Sequence, residues 1–109
     1  MKLVKCIVRD FMAEQTATAL KSLDLSGITV TEVRGRGRNS CRTAAFRGRT
    51  FDVLSPNMMI DVVTPDHLVD DIVRVVMETA RTGRVGDGRI FVFPGEEAYT
   101  IRTRSGGVE

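Results

Sequence analysis

The chain has no tryptophan, one tyrosine, three prolines and only two cysteines among its 109 residues. Cys6 and Cys41 allow at most one bridge, so neither a disulfide framework nor a cysteine-rich zinc site is expected, and the reducing cytosol is the expected compartment. No apolar run approaches the ~20 residues that span a bilayer. The opening MKLVKCIVRD interrupts its apolar residues with charges, unlike a secretory leader. Acidic and basic residues nearly cancel at a net charge of +2, which speaks against a dedicated nucleic-acid binder. What remains is an ordinary globular composition, 42% hydrophobic and 28% charged. One domain over residues 1–109 is expected, and so small a core would gain from oligomerisation.

The charge is unevenly placed. Six arginines (Arg34, Arg36, Arg38, Arg42, Arg47, Arg49) and no acid fall between Val33 and Phe51, and the chain uses 13 Arg against three Lys. Arginine suits bidentate recognition of phosphates and carboxylates. A solvated basic loop is the simpler reading of that run.

Hydrophobic periodicity orders the elements. Alternation over residues 2–9, with Val4, Cys6 and Val8 on one face and Lys5 and Arg9 on the other, predicts a half-buried strand. Met12, Thr16, Ala19, Leu20 and Leu23 recur at helical spacing over residues 12–24. Residues 28–34 are β-branched and read as a second strand. The Arg/Gly/Ser segment from Gly35 to about Ser55 is too polar for a core element; a loop of that length is often functional. Residues 58–63 resume the strand pattern. Thr64-Pro65-Asp66 predicts a helix start with a threonine cap, followed by an apolar stripe through Leu68, Ile72, Val75, Val76 and Thr79. Residues 90–93 form a short apolar strand, and residues 99–103 could add another. The order βαββαβ predicts an α+β, ferredoxin-like sandwich with both helices on one sheet face.

Three segments could carry chemistry. ARTGRVGDGR (residues 80–89) holds glycines at 83, 86 and 88, whose backbone can approach an anion closely, beside Arg81, Arg84 and Arg89. It lacks the P-loop pattern and any base for phosphoryl transfer, so binding fits better than turnover. A helix cap with a hairpin turn is the plain alternative. RGRGR (residues 34–38) adds flexible backbone and charge, although such stretches also occur in nucleic-acid-binding tails. Arg102 and Arg104 alternate along the possible last strand. His67, in a first helical turn, reads as exposed, Cys6 as core, and Asp61, Asp70 and Asp71 as solvated faces. Cys41 lies among cations that would lower its thiol pKa, with no partner for covalent catalysis. No Ser/His/Asp set, paired-carboxylate site or metal constellation is visible.

GITVTEVRGRGR (residues 27–38), FRG (46–48) and above all ARTGRVGDGRIFVFPGEEAYTIRT (80–103) resemble the P-II nitrogen-regulatory proteins, as does the opening MKLVKCIVRDF. The likeness runs end to end, with one residue missing near 52–55. It implies a homotrimer of ferredoxin-like subunits with a protruding T-loop, about residues 37–55, that docks onto a target: an ammonium channel, another transporter or a metabolic enzyme. It implies ATP or ADP, with AMP as a further candidate, in each cleft between subunits, and Mg2+ accompanying ATP. Membrane association would come only through a target, and no nucleic-acid partner and no enzymatic activity are expected.

Residue by residue, the resemblance places Thr29, Gly35, Gly37, Arg38, Gly86, Asp87, Gly88, Arg89 and Arg102 at the nucleotide. Arg89 stands where most members have lysine, and Thr100 replaces the first arginine of the R-I-R pattern; within the C-terminal strand and tail (about residues 95–109), the YTIRT stretch (99–103) is similar to that of some nitrogenase-associated members. The target loop departs further. GHTELYRG reads CRTAAFRG, Phe51 aligns with the uridylylated tyrosine, and Asn39 and Asn57 align with a glutamine and a lysine used for 2-oxoglutarate. Asn39, Arg42, Arg47, Arg49 and Phe51 are thus the effector and target-loop candidates of a divergent paralogue. The readings from other classes are a nucleic-acid-binding module built on the arginine loop and a slow nucleotidase.

Overall fold

A computed structural model of the chain describes residues 1–37 and 42–107. Four strands make the main sheet: β1 (Lys2–Arg9), β2 (Thr29–Gly35), β5 (Ser55–Thr64) and β6 (Gly88–Pro94), in the order β2-β5-β1-β6 with every neighbouring pair antiparallel. Between them run α1 (Ala13–Leu20), a two-stranded hairpin of β3 (Arg42–Phe46) and β4 (Arg49–Val53), and α2 (Val69–Ala80). This is the ferredoxin-like arrangement expected from the element order.

Period-two alternation decides which face of the sheet the helices cover. Val4, Cys6 and Val8 of β1 and Ile60 and Val62 of β5 pack against Ala13 and Leu20 of α1 and against Ile72, Val76 and Ala80 of α2. Burying aliphatic side chains of this size contributes roughly 1.5–3 kcal/mol each, an upper-bound reckoning. Cys6 is fully buried and its thiol is pushed up to about 11, chiefly by that burial and then by the charge of Asp61. It is a core residue with no reactive thiolate.

Several sequence expectations need correction. The first helix is shorter than the periodic stretch: a 3-10 turn at Asp10–Met12 precedes it, and it ends at Leu20. Leu23 and Leu25 pack on the core from beyond the helix, so their spacing reported burial and not helix. Thr64 does not cap α2; its hydroxyl donates to the carbonyl of Pro65 at 3.2 Å, and a 3-10 turn at Asp66–Leu68 leads into the helix. Asp61 is no solvated residue either. Its side chain is three-quarters covered and lies 3.3 Å from Lys5 Nζ on the open face of the sheet.

The largest correction concerns the arginine segment, expected as a loop. Much of it is a regular antiparallel hairpin, with Thr43 opposite Asp52 and Phe46 opposite Arg49. Arg47 and Gly48 form its turn with φ of 50° and 78°. Two successive positive φ values are what a two-residue turn of matching twist requires. The Arg47 guanidinium caps the exposed Phe46 ring at 5.2 Å from its centre, within cation–π range. The tail also differs: only β7 (Tyr99–Thr100) and β8 (Ser105–Gly106) pair, and residues 101–104 form the turn between them. Arg102 and Arg104 therefore do not alternate along a strand; Arg104 adopts φ 58° in that turn.

Candidate functional site

The site begins where β1 ends and β6 starts. Gly88 opens β6 opposite Val8 with φ +115°, a conformation that L side chains rarely adopt. Upstream of it, residues 81–87 fold around one carboxylate. Asp87 Oδ2 accepts the backbone N–H groups of Thr82 and Gly83, each at 2.8 Å, and Oδ1 accepts Arg9 Nε at 3.0 Å and the Thr82 hydroxyl. The Thr82 hydroxyl is the largest of the influences that hold the Asp87 carboxyl far below the usual carboxylate range; the Thr82 amide, Arg9 and the Gly83 amide add to it against a partial desolvation cost. Arg9 makes a second anchor, donating from Nη2 to the Val85 carbonyl at 2.8 Å.

This accounting changes what the glycine loop can offer an anion. The amides of Thr82 and Gly83 are committed to Asp87, and that of Arg84 to the Thr82 hydroxyl at 3.2 Å. The loop is held in shape by its own aspartate, and full positive charge for a ligand comes from side chains. Arg84 and Arg89 supply it on this wall, and both line an open cleft of about 880 Å³.

The opposite wall of the cleft is the root of the hairpin. Gly35, Arg36 and Gly37 leave β2 there, and Ser55, Pro56 and Asn57 enter β5. The register explains the meeting: Gly35 lies across from Ser55, and Asn57 lies between Val33 on one side and Arg9 on the other. Asn57 Nδ2 donates to the Ser55 carbonyl at 3.3 Å. Ile7, Phe11 and Phe91 give the cleft apolar surface. Arginines beside apolar and aromatic surface suit a ligand with a flat ring at one end and phosphates at the other.

Comparison with known proteins identifies the family. The profile of the family described as Nitrogen regulatory protein P-II matches residues 1–105. The chain belongs to the P-II family. It is 40% identical over 104 residues to Nitrogen regulatory protein P-II of Haemophilus influenzae, covering 94% of this chain and 93% of that protein. It is 38% identical over 104 residues to the protein of the same name from Pasteurella multocida, with the same coverage. Against Nitrogen regulatory protein P-II 1 of Escherichia coli it is 40% identical over 107 residues, covering 97% of this chain and 94% of that one.

Of the residues expected at a nucleotide, this P-II chain brings Gly35, Gly37, Gly86, Asp87, Gly88 and Arg89 to the one cleft. Thr29 stands at the opposite end of β2, paired with Asp61, and Arg102 is exposed in the turn between β7 and β8; neither lines the cleft. Arg38, Asn39 and Cys41 lie outside the described residues. Among the target-loop candidates, Arg47 and Arg49 are exposed at the hairpin turn, Arg42 opens β3, and Phe51 pairs with Ala44.

Arg9 and Thr82 were missed as site residues. Arg9 reads as one more outward charge on an alternating strand, and only the strand order places it under the glycine loop. For Thr82 a local cue existed. A hydroxyl residue followed by glycines and then aspartate is a familiar turn chemistry, in which short polar side chains tie up neighbouring amides.

Proposed function

We propose that this P-II chain is a non-catalytic regulator that binds adenine nucleotides in the cleft and reports their state to a target protein through the β3–β4 hairpin. One observation carries the reading: the glycine loop with Arg84 and Arg89 and both roots of the hairpin line the same cleft. A ligand whose phosphates meet Arg84 and Arg89 is then within the space bounded by Gly35, Gly37 and Ser55. Its binding free energy would differ between hairpin arrangements, which is the requirement for a ligand to shift their populations. ATP, ADP and AMP are the candidate ligands. Among the described residues no three His, Cys, Asp or Glu side chains cluster as metal ligands, so magnesium would arrive on the phosphates of ATP.

The working unit is a homotrimer in this reading. The sheet face opposite the helices leaves Phe91, Phe93 and Val63 39–44% exposed, an apolar surface that copies of the chain would cover. Thr29 and Arg102, remote from the cleft of their own chain, would then be available to a neighbouring one. The target is a transporter, such as an ammonium channel, or a metabolic enzyme in nitrogen or related metabolism, met in the cytoplasm. No helix among the described residues is long and apolar enough to cross a membrane; in this reading, contact with one comes through the target.

Calorimetry of the full-length chain with ATP, ADP and AMP, with and without magnesium, tests the reading, and native mass spectrometry reports the stoichiometry. Saturable binding of at least one nucleotide per chain is expected. Absence of heat and of thermal protection with all three would reject it.

A further inference from the structure

We propose that Arg9 is a specificity-determining residue of the cleft: it supplies the countercharge for Asp87, and so lets the glycine loop accept ligands that carry several phosphate charges. The inference rests on the nucleotide reading above and adds to it the basis of preference among nucleotides.

Asp87 places a carboxylate on the wall where phosphates are expected, with its side chain 22% exposed. Unopposed, that charge would repel an anion. Three of its four donors come from its own loop and are neutral: two backbone N–H groups and the Thr82 hydroxyl. Among the described residues, only Arg9 brings a positive charge, through Nε at 3.0 Å. Shape therefore rests mainly on the loop's own donors, with one Arg9 bond to the Val85 carbonyl, whereas the charge compensation is Arg9's. The loop's own donors hold the carboxylate, and Arg9 neutralises it.

The position of Arg9 fits that division. The β1–β6 pairing ends at Val8 and Gly88, so Arg9 is the next residue of β1, beyond the last rung and beneath the loop. Its bond to the Val85 carbonyl and its 24% side-chain exposure keep the guanidinium in place and partly shielded from solvent. Among the described residues, four arginines and two aspartates line the cleft, so loss of Arg9 halves the net positive charge they give it. The penalty must grow with the charge of the ligand, since each added phosphate feels the exposed carboxylate again.

The test compares AMP, ADP and ATP binding by calorimetry in the native assembly of wild type and Arg9→Gln, with folding checked by melting. The expected loss rises along the series, from about twofold for AMP to roughly tenfold or more for ATP. Arg9→Lys should keep the wild-type order, and Arg9→Gln combined with Asp87→Asn should restore the ATP-to-AMP ratio. If Arg9→Gln does not fold, Asp87→Asn alone reads the same effect from the other side, and the ATP-to-AMP ratio should rise. Equal losses for the three nucleotides, or failure of Asp87→Asn to move the ratio, would overturn the proposal while leaving the nucleotide reading intact. A wild-type chain that binds none of them would remove both.

Discussion

The carbonyl oxygen of Ile7 fills the space that a side chain on residue 88 would need: a Cβ on Gly88 would lie 1.7 Å from it. Backbone, not a flexible side chain, is the obstacle, and the φ of +115° adds strain of its own. Gly88→Ala is expected to cost more than about 3 kcal/mol or to displace β6 from β1. Gly83, with open space around it, should tolerate alanine better, at about 1–2 kcal/mol for its positive φ. Denaturant unfolding of the two variants gives the comparison, and equal costs would refute the backbone clash.

Asp87 should leave a mark on the acid limb of stability. Its folded-state pKa is depressed, by the Thr82 hydroxyl first and then by the loop amides and Arg9. A depressed acid stabilises the fold fully above its unfolded pKa, near 3.9, and loses that contribution as pH falls toward the lower folded value. Wild type should therefore exceed Asp87→Asn in melting temperature by a constant margin above about pH 5. The margin should shrink below about pH 4. A margin independent of pH down to acid unfolding would show that the carboxylate's charge does not matter.

Arg89 is the exposed cation at the start of β6 that faces the cleft without being needed to shape the glycine loop. Arg89→Ala is expected to weaken ATP binding by about 1.5 kcal/mol, the lower end for a charge-assisted hydrogen bond at an open site, with an unchanged melting temperature in the absence of ligand. Calorimetry and melting on the same preparation separate the two readouts. Unchanged affinity would remove Arg89 from the site.

How far the site could be read from the sequence followed from which residues speak locally. Val4, Cys6, Val8, Ile60 and Val62 alternate, so the core face of the sheet was visible, and the apolar stripe of α2 likewise. The glycines of the 81–88 loop announced themselves by type. The hairpin did not, because residues 42–53 lack an alternation of apolar side chains, and only the Arg47-Gly48 turn hints at it. The Arg9–Asp87 pair joins residues 78 apart in sequence, and no local pattern encodes such a contact. Thr29 and Arg102 were named through family likeness, and a single chain gives them no place in the cleft.

The last expectation concerns 2-oxoglutarate, which P-II resemblance brings in through a glutamine and a lysine at the positions of Asn39 and Asn57. Asn57 sits at the hairpin root inside the cleft, with its amide donating to the Ser55 carbonyl at 3.3 Å. It is neutral and shorter than lysine, so it provides no cation for a carboxylate of the ligand. The loss of a charged hydrogen bond is worth about 1.5–3 kcal/mol. Asn39 is one methylene shorter than glutamine, about 1.5 Å of reach, and magnesium tolerates little error in ligand distance. Arg36 and Arg84 line the same cleft as further cations. Neither reproduces a lysine at Asn57: Arg84 springs from the opposite wall, and Arg36 from the chain that leaves β2. ATP affinity is therefore expected to change less than threefold with saturating 2-oxoglutarate, about 0.6 kcal/mol. Titration of 2-oxoglutarate into the magnesium–ATP complex decides the matter: tight saturable binding would show that the cleft has kept the second effector. Asn39→Gln together with Asn57→Lys should gain affinity for it, and the double variant should exceed either single one, since the two groups would hold the same ligand from two sides.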